Sequence, residues 1–223
     1  MRRVGFCRNF LLVIGTVTLL FAGAAKESAA SVITSSVGDI TTFIYFTGIG
    51  CPHCANIDPV LLKQKVRQEN LLVVEYEIYQ ESANAMLLMI YDNQYKSGLG
   101  VPLIVADEKR GGSVVGDTFI LEKMNVFITK YKNNGVVLPA GNRPIETLPI
   151  NDIPRLPKLW FKNRIAIKKD VKSDESDAIK AFLFNNILPE KVAPVHDKDV
   201  ALSGDKVTFR EAFAFNGWIL MRD

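Results

Sequence analysis

The sequence predicts a compact α/β domain followed by a small α+β C-terminal extension, on three observations. Between residues 40 and 132, short runs rich in β-branched and aromatic residues alternate with stretches whose apolar residues recur at helical spacing. From residue 133 to 158 the texture changes, because five of the chain's 10 prolines fall there. Residues 159–223 are too few to bury a generous core of their own, so they are expected to pack on the first domain.

Taken in order, Ile40 to Phe46 reads as a buried strand. Ala55 to Gln68 carries Ile57, Val60, Leu61 and Val66 near helical spacing. Leu71 to Tyr79 reads as a second strand, and Glu81 to Tyr95 as a second helix that Gly98-Leu99-Gly100 ends. Pro102 to Val105 opens a third strand. Lys109-Arg110-Gly111-Gly112 signals a hairpin turn, with Ser113 to Val115 returning. Asp117 can cap a helix running to about Lys132, with Phe119, Ile120, Met124, Phe127, Ile128 and Tyr131 along one face. The order is β-α-β-α-β-β-α. The proline-rich stretch 133–158 resists helix and central strand, and reads as a linker or an extended wrap over the first domain. Beyond it, Trp160 to Ile167 looks like a strand. Ser173-Asp174 caps a helix holding Ile179, Phe182, Leu183 and Ile187, while Lys206–Phe209 and Trp218–Met221 are strand-like.

With 48% hydrophobic residues the chain supports a real core and lacks the composition of a disordered protein. A net charge of +3, with 27 Lys+Arg against 24 Asp+Glu, is too mild to imply nucleic acid. The basic residues are scattered, and Lys168-Lys169 is followed at once by Asp170, then Asp174 and Glu175. That is a solvated surface.

Residues 1–25 have the layout of an export signal. Arg2, Arg3 and Arg8 precede an apolar run from Leu11 to Ala22, then Gly23-Ala24-Ala25. The run is shorter than a comfortable bilayer span, so cleavage is expected ahead of an uncleaved anchor. In both cases the arginines stay inside and the rest of the chain is extracytoplasmic, periplasmic or secreted, with membrane contact only through this segment. Of the 3 cysteines, Cys7 lies in that segment, which leaves Cys51 and Cys54 for the exported part. One close pair in an oxidising compartment suggests a working disulfide more than a structural staple.

The pair forms the tetrad Cys51-Pro52-His53-Cys54, at the junction between a strand–loop and a helix. Thiol–disulfide exchange needs an attacking thiolate and a second thiol to resolve the mixed disulfide. At a helix start, unpaired amides and the positive dipole end stabilise a thiolate at Cys51. Cys54, one turn in, can reach back but should be more buried. Pro52 suits a first helical turn, where its missing N–H has no partner to lose. His53 can place a charge or donor near the Cys51 sulfur, and stabilising the reduced form makes a disulfide a stronger oxidant. Half a zinc site has the same pattern, but zinc needs two more ligands, and the one other histidine is His196. A purely structural disulfide across so short a loop would constrain the unfolded chain little. No metal is expected, and no cofactor beyond a redox-active Cys51–Cys54 disulfide.

From Ile40 to Lys132 the chain resembles the thioredoxin superfamily. A strand leads into the CxxC, Pro59 stands where the family's active-site helix carries a proline, and Val101-Pro102 matches its cis-proline loop. The resemblance implies a thioredoxin fold, with a central mixed sheet flanked by helices. It also implies that the backbone at Val101 and Pro102 pairs with bound substrate. A shallow apolar groove framed by Ile49, His53 and Val101 would then receive unfolded exported polypeptides. The Cys-Pro-His-Cys tetrad and the Val before Pro102 look like DsbA-type periplasmic oxidases, although the interval from Cys54 to Pro102 has no room for their helical insertion. Tyr45 stands where the family places a buried carboxylate that assists proton transfer. Glu75 and Glu77 are alternatives expected on the surface.

Three functions stay open at this level. The first is an oxidase of exported proteins. The second is a reductant for apocytochromes or misbridged proteins fed by a membrane redox partner, and the third a binding or chaperone module with an incidental disulfide. The stretches Leu156–Trp160, Ser203–Val207 and Phe215–Trp218 faintly resemble extracytoplasmic parts of proteins fusing a thioredoxin-like domain to a membrane electron-transfer portion. They leave the role of 159–223 unassigned.

Overall fold

The computed structural model describes residues 40–109 and 111–223. The expected export signal, with Cys7, lies outside the described residues. Among the described residues, no helix is long and apolar enough to cross a membrane.

The first part follows the order that its periodicity predicts: β1 (Thr41–Thr47), α1 (Pro52–Arg67), β2 (Leu71–Glu77), α2 (Ser82–Tyr95), β3 (Leu103–Val105), β4 (Ser113–Val115) and α3 (Asp117–Lys130). The second part adds β5 (Val136–Leu138), β6 (Gly141–Arg143), a 3-10 turn at Ile150–Asp152, β7 (Lys158–Phe161), β8 (Arg164–Lys168) and α4 (Ser176–Asn185). It closes with β9 (Ala193–Pro194), β10 (Asp199–Ala201), β11 (Lys206–Thr208), β12 (Glu211–Phe215) and β13 (Trp218–Arg222).

The protein is α/β, built on one mixed sheet of nine strands in the order β4-β3-β1-β2-β7-β8-β13-β12-β9. Only β1 and β2 run parallel within it, paired from Thr41↔Leu71 to Thr47↔Glu77. Their residues are buried on both faces, as expected of a parallel pair covered by helices. Alternation along the strands divides the core in two. Ile44, Phe46, Leu72, Val74 and Tyr76 pack with α2 and α4, through Leu87, Tyr91, Ile179 and Phe182. Phe43, Tyr45, Leu71 and Val73 face the other way and pack with α1 and α3, through Ile57, Leu61, Ile120 and Phe127. The cysteines therefore belong to the α1 side.

Residues 159–223 do not form a separate body beside this sheet. They extend it, because β7 pairs antiparallel with β2 from Leu72↔Phe161 to Glu75↔Lys158. The run Trp160 to Ile167, expected as one strand, is a hairpin that turns at Lys162-Asn163, where Lys162 adopts a left-handed φ of 52°. Glu75, expected on the surface, is buried at the junction, where it accepts from Lys158 Nζ at 2.7 Å and Trp160 Nε1 at 2.6 Å. A carboxylate buried there is tolerated because both oxygens are engaged.

The proline-rich stretch is a wrap. Its β5–β6 hairpin and the 3-10 turn bury Val136, Val137, Leu148 and Ile153 against the α2 side of the sheet. The Tyr91 and Tyr95 hydroxyls donate to the Val137 and Leu138 carbonyls and anchor it. Prolines end its short elements while the aliphatic residues between them fill the core.

Candidate functional site

β1 ends at Thr47, a tight turn follows through Gly48–Gly50, and Cys51 begins α1. Cys51 is extended (φ −78°, ψ 116°), and its sulfur accepts the Cys54 N–H at 3.2 Å. It thus occupies the place that a Ser or Asp oxygen takes in an ordinary helix cap. Pro52 fills the first helical position. The Cys54 thiol donates to Cys51 across 2.6 Å, and both cysteines are free. Cys51 is 4% exposed and Cys54 0%, the order expected of an attacking and a resolving sulfur.

The loop before β3 comes alongside. Phe46 pairs with Leu103 in the antiparallel β1–β3 register, so one step on Pro102 lies opposite Thr47, and Val101 opposite Gly48. The Val101–Pro102 bond is cis, and Pro102 O accepts from Gly116 N at 2.9 Å. Ile49, Cys51, Pro52, Cys54, Val101 and Pro102 are thus brought to one end of the sheet. His53 is there too, but its ring is engaged elsewhere: Nδ1 lies 3.1 Å from Asp117 Oδ2, to which Asn56 also donates at 2.8 Å. The Asn56 amide and the His53 ring hold Asp117 down to about 2. The donors at the Cys51 sulfur are instead the Cys54 amide and thiol, with the Tyr79 hydroxyl beside them.

Beside Cys51 lies a clamp that the sequence reading placed on the surface. Glu77 is buried, and its carboxylate accepts N–H groups from Ile49, Tyr79, Gln80 and Glu81 at 2.8–3.0 Å. Burial alone would raise its pKa, but these four donors hold it below the ordinary carboxylate value. The clamp ties the turn before Cys51 to the turn that carries Tyr79. The Tyr79 ring lies against Gly48, where an added Cβ would sit 2.7 Å from ring carbons, so a side chain there would displace the ring. Desolvation raises the Tyr79 phenol, and the Cys51 sulfur beside it adds to that through charge and hydrogen bonding.

Below Cys54 is a polar floor. Burial, and then the hydrogen bond to Cys51, push the Cys54 thiol up to about 12, against hydrogen bonds from the Thr47 hydroxyl and the Gly48 backbone that favour the thiolate. Asp58, one turn further along α1, is 5% exposed and accepts the Tyr45 hydroxyl at 2.7 Å and Ser203 N–H at 2.7 Å. Burial, followed by the charge of Asp58 and the hydrogen bond to it, raises Tyr45 well above 10, while the Thr47 hydroxyl works the other way. Thr47 Oγ1 is 2.9 Å from Ser203 Oγ. Beyond Asp58 a cavity of about 20 Å³, room for one water, is lined by Tyr45, Asp58, Leu61, Lys65, Glu75 and Trp160.

The sequence reading missed Asp58, although two signals point to it. It is four residues past Cys54, hence on the same helix face, and strand alternation aims Tyr45 toward that face. Ser203, distant in the chain, carries no such signal. Among the described residues, no group of three or more His, Cys, Asp or Glu is placed to hold a metal ion. No protein-family model matches the chain, and neither a curated protein nor a solved structure matches it.

Proposed function

We infer that the protein is an extracytoplasmic thiol–disulfide oxidoreductase of thioredoxin fold, exchanging disulfides with exported polypeptides through Cys51 and Cys54. One observation carries this reading: Cys51 caps α1 with its sulfur 2.6 Å from that of the more buried Cys54. In the oxidising direction, a substrate thiolate attacks Cys51 of the Cys51–Cys54 disulfide. That S–S bond breaks, Cys54 leaves as the thiolate and takes up a proton, and a mixed disulfide remains on Cys51. A second substrate thiolate attacks the substrate sulfur of this bond and releases Cys51. The substrate loses two electrons, the protein gains them, and a membrane redox partner reoxidises the pair.

The buried polar floor supports the proton part of this cycle. A resolving thiol held near 12 needs a base to react at neutral pH. Asp58, reached through the Thr47 and Tyr45 hydroxyls, fills the role that the thioredoxin family gives to a carboxylate in place of Tyr45. Substrate would lie along Val101-Pro102, in a rim where Tyr79, Leu99, Val115 and Phe119 are exposed. Such a rim suits apolar unfolded segments.

The reverse flow, reduction of exported proteins or apocytochromes, is favoured by His53. Its Nδ1 faces Asp117, so it adds less to a Cys51 thiolate than an oxidant would draw from it. A reduction potential near that of cytosolic thioredoxin, roughly −270 mV, would select this direction, and one near −120 mV the oxidase. The test of the shared chemistry is Cys54→Ser expressed in the exporting cell. It should accumulate mixed disulfides with exported proteins on non-reducing gels, while Cys51→Ser should trap none. Absence of trapped partners would overturn the reading.

A further inference from the structure

We propose that Ser203, delivered by the C-terminal β10–β11 hairpin, is a positioning residue of the redox site that holds the groups through which Cys54 gives up its proton. The inference rests on the thiol–disulfide reading above, and it assigns the C-terminal segment a part in the chemistry.

The geometry is concentrated in one residue. The turn Leu202–Asp205 joins β10 to β11 and is closed by Leu202 N–H donating to Asp205 O at 2.8 Å. Ser203 at its tip is 7% exposed and makes three hydrogen bonds to three separate pieces of the site. Its carbonyl accepts from Gly50 N at 2.9 Å, directly before Cys51. Its hydroxyl meets Thr47 Oγ1 at 2.9 Å, at the end of β1. Its N–H donates to Asp58 Oδ2 at 2.7 Å, on α1. Ser203 thereby adds a common anchor to a strand end, turn and helix that the Glu77 clamp and the Tyr45–Asp58 hydrogen bond already join pairwise.

The fit is close. A Cβ on Gly204 would stand 2.8 Å from the Cβ of Ala55, the residue after Cys54, so the hairpin turn rests directly on the first turn of α1. Past that contact, helix and hairpin separate around a cleft of about 370 Å³ lined by Pro59, Leu62, Leu202 and Val207 among others. The hairpin therefore leans on the helix through its turn. With Ser203 in place, the Thr47 hydroxyl is fixed beside the Cys54 thiol, and one Asp58 oxygen is occupied. That leaves the other oxygen to the Tyr45 hydroxyl. None of the Ser203 hydrogen bonds is made to the Cys51 sulfur itself.

Glutathione disulfide is the probe. The reduced protein attacks it with the Cys51 thiolate, one glutathione thiolate leaves, and a Cys51–glutathione mixed disulfide forms. Cys54 then loses its proton, attacks Cys51 and expels the second glutathione, so two protein thiols are oxidised and one glutathione disulfide is reduced. Ser203→Ala should slow the second step about 5- to 10-fold across pH 6–8, measured by quenched-flow mass spectrometry. Alkylation of Cys51 by iodoacetamide should stay within about twofold of wild type, because the lost bond is on the Cys54 side. Gly204→Ala, which keeps every Ser203 atom but pushes the turn off Ala55, should slow the same step. The double variant Ser203→Ala/Thr47→Val should be no slower than Thr47→Val alone, since Ser203 acts through Thr47. Additive losses, equal slowing of Cys51 alkylation, or an unchanged second step would each overturn the proposal while leaving the redox reading intact. A wild-type protein whose Cys54 never expels glutathione would overturn both.

Discussion

Around Cys51 the neighbours are a helix end, a glycine turn and the exposed ring of Tyr79, all tied down by one carboxylate that accepts backbone amides. Around Cys54 they are three hydroxyls and a second buried carboxylate, Asp58, that accepts a phenol and a single amide. The Glu77 hydrogen bonds go to backbone amides of the rim. Asp58 is linked instead to side chains that reach the resolving thiol. Two sulfurs 2.6 Å apart thus sit in different environments, one beside a rim held by backbone amides and the other above a floor of side-chain hydroxyls and a carboxylate. Under the proposed function the first would attack and the second would manage a proton.

The contrast can be broken most severely at the floor. Asp58→Asn keeps the size of the side chain and removes the base. Resolution of a Cys51 mixed disulfide should slow by about 100-fold at neutral pH, the low end of what general base catalysis contributes. Cys51 alkylation should hardly change, and equal slowing of both would mean that the two environments are not separable. Lys65, at the far wall of the small cavity, sharpens the comparison through stability. Burial lowers it from 10.5 to about 8, while Asp223 offsets this slightly, and its Nζ donates to the Lys162 carbonyl. Between those two pH values the unfolded chain binds more protons than the folded one, so stability rises with pH across the window and the penalty is fully present below it. Lys65→Met should therefore stabilise the protein at pH 7 by about 1–2 kcal/mol. The gain in urea melts should shrink toward pH 11; a gain of the same size at both pH values would point to packing instead. The smallest effect is expected at the rim. Tyr79→Phe keeps the ring on Gly48 and removes the hydroxyl beside Cys51. Iodoacetamide should modify Cys51 about threefold more slowly, as for loss of one exposed hydrogen bond, with Cys54 resolution untouched.

The first half of the fold was legible because each element announces its own period. Leu71 to Glu77 is apolar at nearly every position, and Met124, Phe127 and Ile128 mark the inner face of α3. The second half is written in pairings between distant segments. The eight residues from Trp160 to Ile167 suit one strand or a hairpin equally in composition, and the pairing of β7 with both β2 and β8 decides. The β12–β13 hairpin had a readable cue, Asn216-Gly217, a favoured two-residue turn, that was passed over in favour of its last strand alone. The site divides in the same way. The CxxC and Pro102 are readable as a local motif and a spacing. Glu75 and Glu77 read as surface residues because strand alternation says nothing about which carboxylates find partners. The burial of Glu75 depends on Lys158 and Trp160, far along the chain, and that of Glu77 on the distant Ile49 amide together with a turn of three amides that follows it.

The joint between β2 and β7 also sets an order of events during synthesis. The ribosome makes the chain from its N-terminal end, so the edge of β2 from Leu72 to Glu75 emerges long before Lys158 to Phe161 arrive to pair with it. Throughout that interval the nascent chain carries an open, apolar strand edge, the kind of surface that recruits other strands. Ser203 arrives later still. Cys51 and Cys54 are therefore made well before the Ser203 hydroxyl and amide can reach Thr47 and Asp58, and sheet and site are complete only when the last hairpins have closed.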